Sequence, residues 1–230
     1  MGERTTEAVL FDIDGTLVDS NYLHVDTWDR AFAGAGHPVD IWRIHRSIGM
    51  DSKKLLETLL GEDPDGVAES AKELHGEYYK ADARRLRPFA GAADLVRSLL
   101  ARDVAVVLAT SAPEDELEIL LEVLGLSKEE VATTSSGDVD TAKPEPGIIE
   151  AALAKAGAAP DRAVMIGDTV WDVIAAKRAG VATIGVRSGG VAEEELTGAG
   201  AIEVHDDPRA LLDGGPDTVL GRLLALPTRR

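Results

Sequence analysis

The chain has 230 residues, 44% hydrophobic and 28% charged, a balance suited to one α/β domain with room for an insert. Its formal charge of −17, from 24 Lys plus Arg against 41 Asp plus Glu, argues against a nucleic-acid partner, because phosphate backbones are held by basic faces. The absence of cysteine excludes disulfides, thiolate chemistry and cysteine-bound metals. No run approaches the ~20 apolar residues of a membrane span, and Met1 to Glu7 lack the apolar stretch of a signal peptide. A cytoplasmic protein with no membrane partner is expected, as monomer or homodimer.

In chain order, five apolar runs read as strands: Ala8 to Phe11, Val104 to Ala109, Val131 to Thr133, Ala163 to Ile166 and Val181 to Val186. A weaker sixth lies at Ala201 to Val204, and Val219, Leu220, Leu223 and Leu224 suggest a closing helix. Helical patterns separate the runs. Leu117, Leu120, Leu121 and Leu124 share one face, as do Ile148, Ile149, Ala152 and Leu153. Such alternation predicts a mainly parallel sheet covered on both sides. The first two runs are too far apart for a simple crossover, and the intervening pattern is helical. Val25, Trp28 and Phe32 form one face, Leu55, Leu56, Leu59 and Leu60 another, and Val67, Ala71, Leu74 and Tyr78 a third. A helical cap at 20–85 is therefore expected, inserted into a core made of 1–19 and 86–230. Arg87 to Gly91 mark the return to the core, and Leu95, Val96, Leu99 and Leu100 the helix before the second strand.

Four stations fall at carboxyl ends of these strands, where open α/β sheets place their ligands. Asp12 and Asp14 come first. Two like charges so close call for a divalent cation or a retained proton. Asp12 suits attack on phosphorus as a carboxylate nucleophile, and Asp14 suits protonation of the leaving oxygen followed by deprotonation of water. Thr110 and Ser111 follow the second strand, where hydroxyls and free amides can hold phosphoryl oxygens. Ser111-Ala112-Pro113-Glu114 also fits a capping box, so Ser111 has two readings, phosphate ligand and helix cap. Lys143, set between Thr141-Ala142 and Pro144-Glu145-Pro146, offers a compact ammonium for phosphoryl oxygens. Gly167-Asp168-Thr169-Val170-Trp171-Asp172 ends the set. Its carboxylates, with Asp12 and Asp14, suit Mg²⁺, a hard cation that prefers oxygen ligands. Either Asp168 or Asp172 can also be read as a helix cap.

This order of motifs resembles the full set of the haloacid dehalogenase superfamily, in its aspartate-based phosphatase and phosphomutase branch. The resemblance spans the core and implies a Rossmann-like α/β fold with a helical cap inserted after the first strand. It implies Asp12 as nucleophile, Asp14 as acid/base, Thr110 and Lys143 as phosphate ligands, and Mg²⁺ held by Asp12, the Asp14 carbonyl and Asp168, with Asp172 in support. Asp14 separates the chain from dehalogenases, which lack a second aspartate there. Lys53 and Lys54 carry no Schiff-base motif around them and read as exposed helix lysines.

The implied activity is Mg²⁺-dependent hydrolysis of a small phosphorylated metabolite through an aspartyl-phosphate, with phosphoglycolate phosphatases as the nearest type. A β-phosphoglucomutase-like mutase is the alternative; a dehalogenase or a catalytically silent binding module ranks lower. His24 sits at a hinge position shared by both leading classes. The cap loop His45 to Lys53 is expected to face the site and choose the substrate. There the mutases carry an arginine after a Gly-containing turn, whereas this chain has Met50, Asp51 and Ser52 after Gly49 and keeps Arg46 before it. Arg46 has two readings, a grip on a substrate anion and a plain surface residue. His37, His75 and His205 receive no role.

Overall fold

The computed structural model describes residues 7–62, 66–102, 104–135, 137 and 143–228. Thr141 and Ala142, and residues 1–6 of the amino terminus, lie outside the described residues. Six strands form one sheet: β1 (Glu7–Phe11), β2 (Val104–Ala109), β3 (Ala132–Thr134), β4 (Ala163–Gly167), β5 (Ala182–Val186) and β6 (Glu203–His205). All neighbouring pairs are parallel, in the order β3-β2-β1-β4-β5-β6. The parallel sheet is the one the alternation predicts, and its order is Rossmann-like, as the resemblance implies, with the winding reversing beside β1. The sixth strand lies two residues beyond its expected start, because Ala201 packs inward against Leu196 and Val173 while pairing begins at Glu203.

Alternation along β1 divides the core. Val9 and Phe11 join the apolar cluster under α5 (Ala92–Leu100), α6 (Glu114–Leu124), α10 (Pro208–Leu212) and α11 (Val219–Leu224). Leu10, Val107 and Met165 point to the other face, against α7 (Gly147–Ala156) and α8 (Val170–Arg178). With few aromatics available, both layers close on Leu, Val, Ile and Ala. A short helix α9 (Glu193–Ala199) covers the β5–β6 end through Leu196.

Between β1 and α5 stand α1 (Asn21–Gly34), α2 (Ile41–Ser47), α3 (Ser52–Leu60) and α4 (Val67–Asp82). They carry an apolar cluster of their own, in which Val25, Trp28 and Phe32 of α1 meet Leu55, Leu56 and Leu59 of α3 and Ala71 of α4. Two readings of this region need correction. His45 to Ser47 are the last turn of α2 rather than part of a loop. The innermost face of α4 is Ala71, His75 and Tyr79, with Leu74 and Tyr78 only partly covered, because α4 turns its polar aromatics toward α1. The chain enters and leaves the insert side by side: Asp19 N donates to Arg87 O at 2.8 Å, Phe89 N donates to Leu17 O at 2.9 Å, and Val18 bridges Pro88. Among the described residues no helix is long and apolar enough to cross a membrane.

Candidate active site

Asp12 leaves the end of β1, and its amide donates to Ile166 O at 2.9 Å, which ties it to β4. Asp168 leaves β4 next door, Thr110 leaves β2, and Lys143 precedes α7. Parallel register therefore delivers all four stations to one edge of the sheet. Asp12, Thr110, Lys143, Asp168 and Asp172 are all buried.

Lys143 Nζ donates to Asp12 Oδ1 at 2.6 Å and lies 2.7 Å from Asp172 Oδ1. Carboxylate oxygens of Asp12, Asp168 and Asp172 come within 4.8 Å of one another. Asp168 is fixed from two sides, accepting from Thr16 Oγ1 at 3.0 Å and from Asn21 Nδ2 at 2.7 Å. Asn21 also donates to Gly189 O at 3.2 Å. Here glycine is obligatory, since a Cβ on Gly189 would lie 1.6 Å from Asp168 Oδ2. Gly15, at φ +72°, would meet the same oxygen at 2.4 Å. Asp172 serves twice: Oδ2 accepts from Thr169 N at 3.0 Å, closing a capping box on α8, while Oδ1 faces Lys143.

The electrostatics follow from burial. Desolvation, opposed by Lys143 and reinforced by Asp172 and Asp14, pushes Asp12 up to about 7. Burial and then the charges of Asp172 and Asp12 hold Asp168 well above the carboxylate range. Despite its burial, Lys143 is held charged by Asp12 and Asp172. Three buried carboxylates around one ammonium must either keep protons or take up a cation, and an all-oxygen donor set suits a hard divalent cation such as Mg²⁺. The buried Asn21 Oδ1, which has no hydrogen-bond partner, adds a further oxygen beside them. Asp12 and Asp168 would hold the ion with Asp172 behind them, and when bound it supplies positive charge for phosphoryl oxygens.

Asp14 belongs to a second group. Its Oδ1 accepts from Ser20 Oγ at 2.6 Å and lies 3.3 Å from His24 Nε2. Burial would raise Asp14, but the hydrogen bonds from His24 and Ser20 and the charge on His24 outweigh it and bring it below the usual value. Burial likewise opposes protonation of His24, and Asp14 overcomes it. His24 Nδ1 lies 3.2 Å from His75 Nε2, and its ring stacks on Tyr79 at 4.2 Å between centroids. Burial and the charge on His24 hold His75 well below its usual value, so the contact sets a His24 whose charged form is favoured against a His75 whose neutral form is favoured.

Asp12, Asp14, Thr110, Ser111 and Lys143 line one cleft of about 620 Å³, roofed by Ile48 to Lys53 and by α4. Thr110 Oγ1 accepts from Ala112 N at 3.0 Å. Ser111 does not cap a helix: α6 begins at Glu114 with Pro113 at the cap position, and Ser111 Oγ is buried without a partner at the cleft. Arg46 is the site residue that the structure sets apart. Its half-exposed guanidinium donates to Glu195 Oε2 on α9, outside this cleft. Lys53 lines the cleft, and Lys54 pairs with Glu57 at 3.3 Å.

Sequence reasoning missed Thr16, Ser20, Asn21, His75, Tyr79 and Glu116. Only Asn21 and Ser20 had a local signal, as polar residues that end up buried at the start of an amphipathic helix. His75 touches His24 across 51 positions, beyond any local pattern.

Residues 6–180 match the haloacid dehalogenase-like hydrolase family. The chain is 31% identical to a phosphoglycolate phosphatase of Rhodospirillum rubrum, over 96% of each sequence. It is 26% identical to a phosphorylated carbohydrates phosphatase of Thermotoga maritima, over 91% of each. A hydrolase from Pseudomonas syringae has a solved structure that superposes with a TM-score of 0.87 at 36% identity, covering 91% of this chain and 97% of that one. With its strand-end aspartates, buried lysine and sheet order already in place, the chain belongs to the haloacid dehalogenase-like hydrolases.

Proposed function

We propose that the protein is a Mg²⁺-dependent phosphatase of a small phosphorylated metabolite, acting through an aspartyl-phosphate on Asp12. The observation that carries this reading is Lys143 Nζ held 2.6 Å from Asp12 Oδ1 on the floor of a cleft that Asp14 also lines. Asp12 attacks phosphorus, the bond from phosphorus to the ester oxygen breaks, and the proton held by the His24–Asp14 pair passes through Asp14 to that oxygen. Asp14 then takes a proton from the water that cleaves the acyl phosphate, and phosphate leaves. Lys143 balances charge on the non-bridging oxygens, Thr110 and Ser111 supply hydroxyls, and His24 holds Asp14 in place. The helices of 20–85 act as a cap that shields the acyl phosphate and opens for release. The names of the relatives, both phosphatases, support hydrolysis. Against the mutase alternative, no arginine lines the cleft among the described residues, so nothing there grips a second phosphate as a guanidinium would.

The test is phosphate release from a panel of phosphorylated metabolites, with and without Mg²⁺. Release that needs Mg²⁺ and vanishes in a folded Asp12→Asn variant is expected. Normal turnover by that variant would remove the nucleophile, and isomerisation of a sugar phosphate in place of phosphate release would make the protein a mutase.

A further inference from the structure

Glu116 lies in the first turn of α6, where an acidic residue ordinarily faces solvent and complements the helix dipole. Instead it is 7% exposed and lines the cleft that holds Asp12 and Asp14. Its carboxylate forms no hydrogen bond or ion pair among the described residues, whereas the adjacent Asp115 is paired with Lys80 of α4. Lining the cleft with no protein partner among the described residues, the carboxylate is open to a donor on a ligand. Burial pushes Glu116 up to about 6, with the charge of His24 pulling the other way, so at neutral pH the group is an anion.

The rest of the lining has the same bias. Carboxylate groups on ligands are usually gripped by arginine, whose fork matches both oxygens. Among the described residues no arginine lines the cleft, Arg46 is taken by Glu195, and Lys80 by Asp115. The exposed Lys53 and Lys72 stand among Glu69 and Glu73.

We propose that Glu116 is a specificity residue that accepts a hydrogen bond from a hydroxyl on the organic part of the substrate, so that the site favours phosphomonoesters of polyols and rejects those bearing a carboxylate. This deepens the phosphatase reading and rests on it. Discrimination comes from both directions: an alcohol satisfies the buried acceptor, and a carboxylate sets a second anion against it. A site built around a polar contact of this kind discriminates far more strongly than one that measures size.

Two matched pairs, each differing by one alcohol-to-acid change, test it. They are 2-hydroxyethyl phosphate against 2-phosphoglycolate, and glycerol 3-phosphate against 3-phosphoglycerate. With Mg²⁺, the wild type should show a kcat/KM about tenfold or more higher for at least one alcohol than for its acid, mainly through KM. Glu116→Gln, which keeps the shape and loses the charge, should shrink that ratio about tenfold or more; Glu116→Asp, which keeps the charge, should preserve the preference for the alcohol. Equal or better use of the acids by the wild type, or a ratio unmoved in Glu116→Gln, would overturn the assignment of Glu116 and leave the phosphatase reading intact. No Mg²⁺-dependent phosphate release from any of the four compounds, or from p-nitrophenyl phosphate, would overturn both.

Discussion

Replacing Lys143 by methionine removes the one cation among three buried carboxylates while nearly conserving volume. The ammonium lies 2.6 Å from Asp12 and 2.7 Å from Asp172. At an effective dielectric of about 20, each contact is worth about 6 kcal/mol of attraction before desolvation. Desolvation offsets most of that, and breaking a buried pair from one side costs about 3–5 kcal/mol. The loss depends on pH. Asp12 stands at about 7 with Lys143 in place, above its ordinary 3.8. A carboxyl raised in the native state binds more protons folded than unfolded, so stability falls as pH climbs toward about 7 and levels off beyond it. Losing Lys143, whose charge lowers Asp12, lifts that carboxyl further and extends the fall above pH 7 in the variant alone. Urea unfolding in EDTA at pH 6 and pH 8.5 should therefore show a deficit of about 3–5 kcal/mol at the higher pH and a smaller one at the lower. A deficit under about 1 kcal/mol at pH 8.5, or one larger at pH 6, would refute the idea that this lysine holds the acids together.

Other consequences are as direct. His24→Gln removes the charge that helps depress Asp14, so the limb of the kcat/KM profile due to Asp14 should move to higher pH; an unmoved limb would detach His24 from the acid/base. Gly189→Ala should weaken Mg²⁺ binding and lower stability by about 1–3 kcal/mol, because its Cβ collides with Asp168, while Gly215→Ala, which opens onto free space, should be near neutral. Because Asp12 and Asp168 are raised without the ion, Mg²⁺ binding near pH 6.5 should release protons, seen as a heat that changes with the ionisation enthalpy of the buffer. A buffer-independent heat would mean that both are already ionised.

Most of the sheet was legible because each strand is a short apolar run that ends at a glycine or a polar turn, and burial on both faces leaves little else for such a run to do. Three of the four stations were legible for the same reason, each beginning one residue after its strand, and Lys143 was legible from the prolines that fix its loop. What escaped detection depends on distant partners. Arg46 lies in a helix of seven residues with only Ile44 and Ser47 buried, too weak a pattern to separate from a loop, and its partner Glu195 is 149 positions away. Gly189-Gly190 reads as a turn, and only Asp168 at its back shows why no side chain is possible at Gly189. Glu116 looks like any acid opening a helix until the insert is laid over it. Ser111 misled in the opposite sense, since Pro113 takes the cap position that the spacing offered to serine.

The two strands of backbone that lead into and out of the insert are zipped together by Asp19 to Arg87 and Leu17 to Phe89. That short clasp already brings the two ends together, so the entropy of closing the loop changes only slowly with what is strung between them. Strand β1 is thereby insulated from its own interruption. Exchanging the whole stretch for one of different length or shape, spliced at the clasp, becomes a modular operation that leaves the strand-end carboxylates in their register.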